Sequence, residues 1–395
     1  MKKPTPGTRS HTVKTHAPFG SWPSSITPAM VASSSPKRFD TMINDGRLFW
    51  CESIAAEKGR IGIMMHDGNE CQCILPRPLS ANSKVHEYGG GAYTIDKTDV
   101  YFVLADDQRI YQANFSQADY TPQALTPENN TRYSDLIIDK AHQRIIAVCE
   151  KHDDNDAHHV ENYLVAVATD GSQRVTTIHQ GHDFYSNPRI SPCGNFLLWL
   201  TWDHPNLPWD NTQLWLAEFN ESGVMSPRII AGNGNESIFQ PQWSPDGTVF
   251  FVSDRSNWWN IYRISHEQLQ NDSPQAQCVF KHDAEYATPQ WTFGMSTYGF
   301  LDALTILATY TQNGTWRLIK ININDADNVT TQNVAADVST IHSLYCDNNQ
   351  ACLIAASPTQ PATAYRYTLQ ENALTALGEI VNPIPPEELS IPQPL

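Results

Sequence analysis

The sequence predicts an all-β fold, a β-propeller of seven four-stranded antiparallel blades. A strand-like segment that follows a polar loop recurs seven times, at intervals of 47 to 56 residues. Two Ser-Pro-x-Gly turns, at 191–194 and 244–247, lie at the same phase of successive repeats. Repeats of this length are typical of propeller blades. Six or eight blades remain alternatives, whereas a two-sheet sandwich does not explain the regular phase.

The composition agrees with one large all-β domain. The chain has 395 residues, of which 40% are hydrophobic, so it can bury a sizeable core. Its 11 Trp, 15 Tyr and 14 Phe favour strands, and its 20 Gly and 26 Pro supply turns. The formal charge of −16 disfavours nucleic acids and anionic lipids as partners, and we interpret it as a contribution to solubility.

No cofactor or metal is expected. Most of the eight Cys lie in apolar strand-like segments, and Cys71 and Cys73 form a lone C-x-C without a second pair at zinc spacing. His158 and His159 follow an acidic segment, but adjacent side chains on an extended chain point to opposite sides. The start of the chain has no apolar signal region and no segment is long enough to span a membrane, which predicts a cytoplasmic protein.

Three regions are expected along the chain. Residues 1–36 form an N-terminal arm, partly disordered and otherwise extended, with one aromatic anchor in segment 19–23. Residues 37–379 form the propeller. Residues 380–395 are rich in proline and cannot form a helix or a central strand, so we interpret them as a linker.

Within each repeat the recurring segment is taken as the third strand, C. These segments cover 60–64, 109–113, 162–166, 213–217, 260–264, 316–320 and 364–368. An apolar strand B precedes each of the first five, for example 196–200, and strand A precedes the Ser-Pro-x-Gly turn. Because chain direction alternates in an antiparallel blade, the A–B and C–D turns share one face. The longer B–C loops and the D–A crossovers share the other, which we call the loop-rich face.

The loop-rich face carries the candidate substrate-binding or domain-interface residues. They are Glu87 and Tyr88 in the crossover into blade 2, Trp202, Asp203, His204 and Trp209 in blade 4, and Arg255, Trp258 and Trp259 in blade 5. Two neighbouring indole-rich loops indicate a surface that is normally covered.

Glu87 precedes three glycines near the expected central channel. As a buried carboxylate it could capture the N-terminal amine of a peptide, pair with Arg255, or cap backbone N–H groups. Gly89, Gly90 and Gly91 are not followed by a helix pattern, so close backbone packing at the propeller centre explains them better than a phosphate cradle.

No catalytic residue is assigned. The chain lacks the Gly-x-Ser-x-Gly nucleophile motif of α/β-hydrolases, and the segment 294–299 has one residue too many. An acid/base or metal set within the channel is not evident either.

Segments 85–91, 202–210, 243–247 and 253–255 resemble the N-terminal propeller of the prolyl oligopeptidase family of serine peptidases. Segment 19–24 is similar to the start of its acylaminoacyl-peptidase and dipeptidyl-aminopeptidase-like branch. Members of that family continue into an α/β-hydrolase domain that carries the Ser, Asp and His of the catalytic triad, and that domain is absent here.

The resemblance implies a non-catalytic module whose partner is an α/β-hydrolase domain of the same parent protein, itself a serine peptidase. The propeller would cover that domain, admit only short or unstructured peptides through a narrow opening, and help to position them. The alternative is a free-standing propeller that binds other proteins and has no peptidase partner domain.

Overall fold

The computed structural model describes residues 16–32, 36–117, 120–153, 156, 160–232, 234–324, 328–378, 384, 388, 389 and 391. They form seven antiparallel sheets of four strands, and each sheet uses four consecutive strands. The predicted all-β propeller with seven blades is therefore confirmed.

The strands follow one another blade by blade. Blade 1 has β1 (Arg38–Asn44), β2 (Arg47–Ile54), β3 (Arg60–His66) and β4 (Cys71–Cys73); blade 2 has β5 (Tyr93–Asp96), β6 (Asp99–Val103), β7 (Ile110–Asn114) and β8 (Gln123–Ala124). Blade 3 has β9 (Thr131–Asp139), β10 (Arg144–His152), β11 (Val160–Ala168) and β12 (Val175–Gln180); blade 4 has β13 (Phe184–Ile190), β14 (Phe196–Trp202), β15 (Gln213–Asn220) and β16 (Gly223–Ala231).

The last three blades repeat the pattern. Blade 5 has β17 (Ile238–Trp243), β18 (Val249–Ser253), β19 (Asn260–Ile264) and β20 (Gln277–Cys278); blade 6 has β21 (Tyr298–Phe300), β22 (Thr305–Gln312), β23 (Thr315–Ile323) and β24 (Val329–Val334). Blade 7 has β25 (Thr340–Asp347), β26 (Gln350–Ser357), β27 (Gln360–Thr368) and β28 (Ala373–Ala376). The helical elements are α1 (Pro28–Ala32) and two 3₁₀ turns, Ala55–Glu57 and Gln268–Gln270.

The second strand of each blade contains a run of at least four consecutive buried residues because each blade packs between two neighbours. All five residues of β18 are buried, for example. Blade 5 packs through Phe250 against Phe300 of blade 6, with ring centroids 5.0 Å apart. Aromatic and β-branched residues suit such two-sided burial.

The Ser-Pro-x-Gly turns lie between strands A and B of blades 4 and 5, as the sequence repeat predicts. Ser244 Oγ accepts the N–H of Thr248 at 3.1 Å, and the N–H of Gly247 bonds the carbonyl of Ser244 at 3.0 Å. Gly247 has φ +86° and open space where a Cβ would lie. Glycine is therefore favoured here by the left-handed backbone of the turn and not by close packing.

A ring of left-handed residues lines the centre, one from the inner strand of each blade or the crossover that leads into it. They are Asp40, Gly91, Asp135, Asn187, Gln240, Gly294 and Ser343, all with positive φ. Several of them bond the next blade around the ring: Asp40 Oδ2 accepts Gly91 N–H at 2.8 Å, and Asp135 Oδ2 accepts Asn187 N–H at 2.6 Å. They surround a central channel of about 630 Å³.

Packing closes the ring between blades 7 and 1, since each of these blades keeps its own four strands. Ser343 Oγ of blade 7 accepts the N–H of Thr41 of blade 1 at 3.0 Å. One apolar cluster spans the junction, with Ile43, Leu48 and Trp50 on one side and Cys352, Ile354, Ala364 and Leu377 on the other. Among the described strands, none is exchanged between blades 7 and 1.

The long loops are distributed around the loop-rich face less evenly than the sequence predicts. In blades 6 and 7 the B–C connections are two-residue turns, 313–314 and 358–359, rather than the long loops expected everywhere. Two crossovers are long instead, 74–92 into blade 2 and 279–297 into blade 6. Among the described residues, the bulk of the loop-rich face therefore comes from these crossovers and from the B–C loops of blades 4 and 5.

The N-terminal arm departs from expectation. Pro28–Ala32 is helical, and Trp22 is 53% exposed, with its ring centroid 5.8 Å from that of Phe19. Neither of these two rings is buried against the propeller. Within the described residues, no helix is both long and apolar enough to cross a bilayer.

Candidate functional site

An exposed aromatic cluster stands on the loop-rich face. Tyr88 contacts Trp291 edge to face with centroids 5.5 Å apart, and Trp209 lies 4.6 Å from Trp291. Tyr88 is 63% and Trp291 52% exposed. The three rings come from two crossovers and one B–C loop, so the prediction that these loops project from one face is confirmed. Exposed rings packed on each other mark a contact surface.

A charged cluster lies beside Tyr88, centred on Arg132 at the start of β9. Its guanidinium donates to Glu87 Oε1 at 2.6 Å and to Glu150 Oε1 at 3.3 Å. His152 Nε2 bonds the same Glu150 oxygen at 2.8 Å, and Glu150 Oε2 accepts the N–H of His86 at 2.8 Å. Glu150 is thus a buried carboxylate whose oxygens are both used.

Glu87 is not the buried carboxylate that the sequence suggested. Its side chain is 74% exposed, and the hydrogen bond from Arg132 lowers its pKa. The pairing with Arg255 is wrong as well, because the two residues have different partners. Glu87 projects from the loop-rich face because its backbone, with φ +66°, follows the left-handed turn that begins at His86.

Arg255 anchors its own loop. It donates to Glu236 Oε1 from Nε at 2.9 Å and from Nη2 at 2.6 Å, and its guanidinium lies 4.9 Å from the ring centre of Tyr262. Ser253 Oγ donates to the same carboxylate oxygen at 2.5 Å. A cation held in this way fixes the crossover into blade 5 to the B–C loop.

Trp202 belongs to the layer beneath the exposed cluster. It is buried and stacks on Phe184 at 5.3 Å, while His86 packs edge-on against both rings. Burial lowers the pKa of His86 to about 4, so the ring is neutral and serves as part of the apolar layer.

Asp203 and His204 shape the blade 4 loop. Asp203 Oδ1 accepts the N–H of Asp183 at 2.8 Å and Oδ2 bonds His182 Nδ1 at 2.9 Å. His204 is exposed, and its ring meets Phe184 edge-on at 5.0 Å. The first residue fixes the loop and the second is free to meet a partner.

The blade 5 indoles are unlike each other. Trp258 is 38% exposed on the loop. Trp259 is half-buried against the core between blades 5 and 6, and its backbone N–H donates to Glu285 Oε2 at 2.9 Å. Only Trp258 adds to the exposed surface.

Beneath the aromatic cluster, the two long crossovers join. The N–H of Phe293 donates to the carbonyl of Gly89 at 2.8 Å, and Gly90 pairs with Phe293 as a parallel β-bridge. A Cβ on Gly90 would stand 2.2 Å from the carbonyl oxygen of Phe293, and one on Gly91 would stand 2.9 Å from the backbone of Asp135. Close backbone packing at the propeller centre, the prediction for these glycines, is confirmed.

Arg132, Glu150, Trp291 and Phe293 were missed by the sequence reasoning. Trp291 and Phe293 lie in a crossover without strand periodicity. Arg132 and Glu150 resemble ordinary strand residues. The sequence signal for this part of the site is weak: Trp291 and Phe293 lie two residues apart, directly before Gly294.

No group of three or more His, Cys, Asp or Glu side chains converges in a metal-binding arrangement within the described residues. His158 and His159 lie outside them.

Replacing Arg132 with Met should destabilise the chain by about 2–3 kcal/mol, because the buried Glu150 loses its cation. Arg132→Lys should recover part of this loss. The matched control is Glu87→Gln, which removes the exposed partner of the same arginine and should cost under about 0.5 kcal/mol. Urea unfolding measures all three, and equal losses for Arg132→Met and Glu87→Gln would show that Glu150 does not depend on Arg132.

Asp40 should make stability depend on pH. Burial raises its pKa to about 7, since desolvation outweighs the bond from Gly91 N–H, and Asp135 adds to the rise. The native state therefore holds a proton that the unfolded chain releases near pH 4, and stability falls as pH rises from about 4 to about 7. Asp40→Asn should remove on the order of 4 kcal/mol of that fall.

Unfolding at pH 5 and pH 8 tests this expectation. Asp45→Asn is the control, because its side chain is 73% exposed at the channel mouth and should leave the slope unchanged. An Asp40→Asn protein with the wild-type slope would assign the pH dependence to another group.

Comparison with known proteins gives no matching family model and no matching curated protein. Solved structures do match. A mutant of puromycin hydrolase complexed with PGG superposes with a TM-score of 0.88 and 26% identity, over 95% of this chain and 59% of that chain. A puromycin-hydrolyzing peptidase of Mycobacterium tuberculosis gives 0.85 and 26%, over 94% and 58%.

More distant matches show the same fold. Prolyl oligopeptidase B from Galerina marginata, bound to a 35mer hydrolysis and macrocyclization substrate, gives a TM-score of 0.62 at 15% identity over 90% of this chain. The chain spans less than three fifths of the length of the puromycin hydrolases that it matches.

Proposed function

We propose, from the premise that this chain has the seven-bladed propeller of prolyl oligopeptidase-family peptidases, that it is the non-catalytic module of a serine peptidase. It would cover an α/β-hydrolase domain of the same parent protein, restrict access to short peptides, and help to position them. The observation that carries the proposal is the aromatic cluster on one face of the ring, in which the exposed Tyr88 and Trp291 pack with the half-buried Trp209.

The physical character of the two faces supports this role. The loop-rich face groups aromatic rings in contact with each other and a charged cluster, which is the composition of a contact surface. On the opposite face the A–B connections include two-residue turns such as 45–46 and 348–349, and the longest C–D connection is 265–276 in blade 5. A propeller that covers a catalytic domain needs one face suited to contact, and the loop-rich face has this character.

The substrate class rests on similarity. Puromycin hydrolases match this chain at 26% identity. Segment 19–24 resembles the start of the acylaminoacyl-peptidase and dipeptidyl-aminopeptidase-like branch. We therefore propose short peptides, and aminoacyl or peptidyl amides in general, as the substrates of the parent protein.

Turnover of aminoacyl and tripeptidyl p-nitroanilides tests the proposal. Residues 1–395 alone should neither cleave them nor label with a fluorophosphonate, because the chain has no nucleophile motif. The full product of the gene should do both. A labelled serine within residues 1–395 would contradict the proposal, and a full gene product without a reactive serine would favour the free-standing binding propeller.

A further inference from the structure

We propose that the two long crossovers permanently close the central channel at the loop-rich face, so that peptides cannot reach the catalytic half through the propeller and must approach from the side. The closing element is the pair of segments 89–91 and 290–294, which we call the central bar. The statement about peptides rests on the proposed function; the closure itself does not.

The contacts of segment 290–294 place it across the propeller axis. This segment leads into blade 6, yet Gln290 Nε2 donates to Asn187 Oδ1 of blade 4 at 3.0 Å. Phe293 packs into the apolar cluster between blades 3 and 4, and a Cβ on Gly294 would touch Asp40 of blade 1. A segment that leads into blade 6 and contacts blades 1, 3 and 4 must pass over the centre of the ring.

Segment 89–91 completes the bar from the direction of blade 2. Its three glycines all have positive φ, and Gly90 pairs with Phe293. Ser134 Oγ of blade 3 donates to the Gly90 carbonyl at 2.6 Å, and Asp40 Oδ2 of blade 1 accepts the Gly91 N–H at 2.8 Å. Blades 1, 2, 3, 4 and 6 thus all hold the bar.

The channel ends at the bar. Gly91 and Gly294 line its inner end, together with the ring residues Asp40 and Asp135. Its other end is lined by turn residues such as Asp45 and Asp347. The cavity of about 630 Å³ is therefore a pocket with one mouth, on the turn-rich face.

Opening the bar would be costly. Phe293 is 3% exposed and its N–H, the Gly90 carbonyl and the Gly91 N–H are all bonded to protein groups. Withdrawal would expose the phenyl ring and leave several polar groups without partners at once. The bar behaves as part of the core rather than as a lid, and its outer side carries Tyr88 and Trp291.

Amide hydrogen exchange of residues 1–395 tests the closure without any peptidase. Phe293 N–H should exchange at least about 1,000-fold more slowly than an unprotected amide, in the range of the core amide of Phe251. A protection factor below this value would overturn the proposal, because it would show a bar that opens readily.

Blocking the channel mouth on the turn-rich face tests the route by which peptides reach the catalytic half. In the full gene product, with exposed Cys71 and Cys193 replaced by Ser, Asp45→Cys at the channel mouth is biotinylated and covered with streptavidin. Met225→Cys, 43% exposed on β16 of blade 4, receives the same treatment as the control. Tripeptidyl p-nitroanilide kcat/KM should differ less than threefold between the two, and a larger loss in the Asp45→Cys protein would overturn the proposal.

The two tests separate the claims. If the full gene product has no peptidase activity, the proposed function fails, and amide exchange at Phe293 still decides whether the channel is closed.

Discussion

Gly90→Ala should destabilise the propeller by about 4 kcal/mol. The added Cβ would stand 2.2 Å from the Phe293 carbonyl oxygen, where backbone rather than a flexible side chain must move. The left-handed φ of +91° adds about 1–2 kcal/mol of conformational strain. Urea or thermal unfolding measures the loss.

Gly247→Ala is the matched control for this experiment. Gly247 has a similar φ of +86°, but a Cβ there meets open space. It should therefore lose only the conformational part, about 1–2 kcal/mol. If the two variants are equally stable, the contact between Gly90 and Phe293 does not exist as described.

Phe293→Ala should cost about 3–5 kcal/mol, as expected for truncating a fully packed aromatic ring. The ring contacts His86 with centroids 5.0 Å apart, so its loss also admits water to that imidazole. The pKa of His86, which burial holds at about 4, should rise toward its ordinary value near 6.5. Unfolding and NMR titration measure the two effects.

Phe19→Ala serves as the control, because that ring is 95% exposed and should change stability by under about 0.5 kcal/mol. Loss of stability in Phe293→Ala with an unchanged His86 pKa would mean that the bar keeps its place without the ring. That outcome would contradict the packing argument for closure.

The blades could be predicted because their signal is local. Strand C of each repeat follows a polar loop, and the Ser-Pro-x-Gly turn identifies the strand on either side of it. The glycines at 89–91 were informative for the same reason, since three in succession require close backbone packing.

The partners at the site could not be predicted because they are made across the ring. Glu87 pairs with Arg132, 45 residues away, only because a crossover ends above the start of β9. Trp291 reaches Tyr88 only because two long crossovers meet at the axis. No periodicity in the sequence encodes such meetings, so Glu87 was expected to be buried.

Other expectations stay predictions. They are the cytoplasmic location, the peptide substrates, the linker role of 380–395, and the site roles of Trp202, Asp203, His204, Arg255, Trp258 and Trp259.

Hydroxyl-radical footprinting tests most directly whether the loop-rich face is the covered one. Residues 1–395 alone are compared with the full gene product. Tyr88 and Trp291, both more than half exposed in this chain, should become at least fivefold less reactive in the full protein, while Met225 and Leu304 on the turn-rich side stay unchanged. Protection of Met225 and Leu304 with Tyr88 and Trp291 still reactive would contradict the assignment of the covered face.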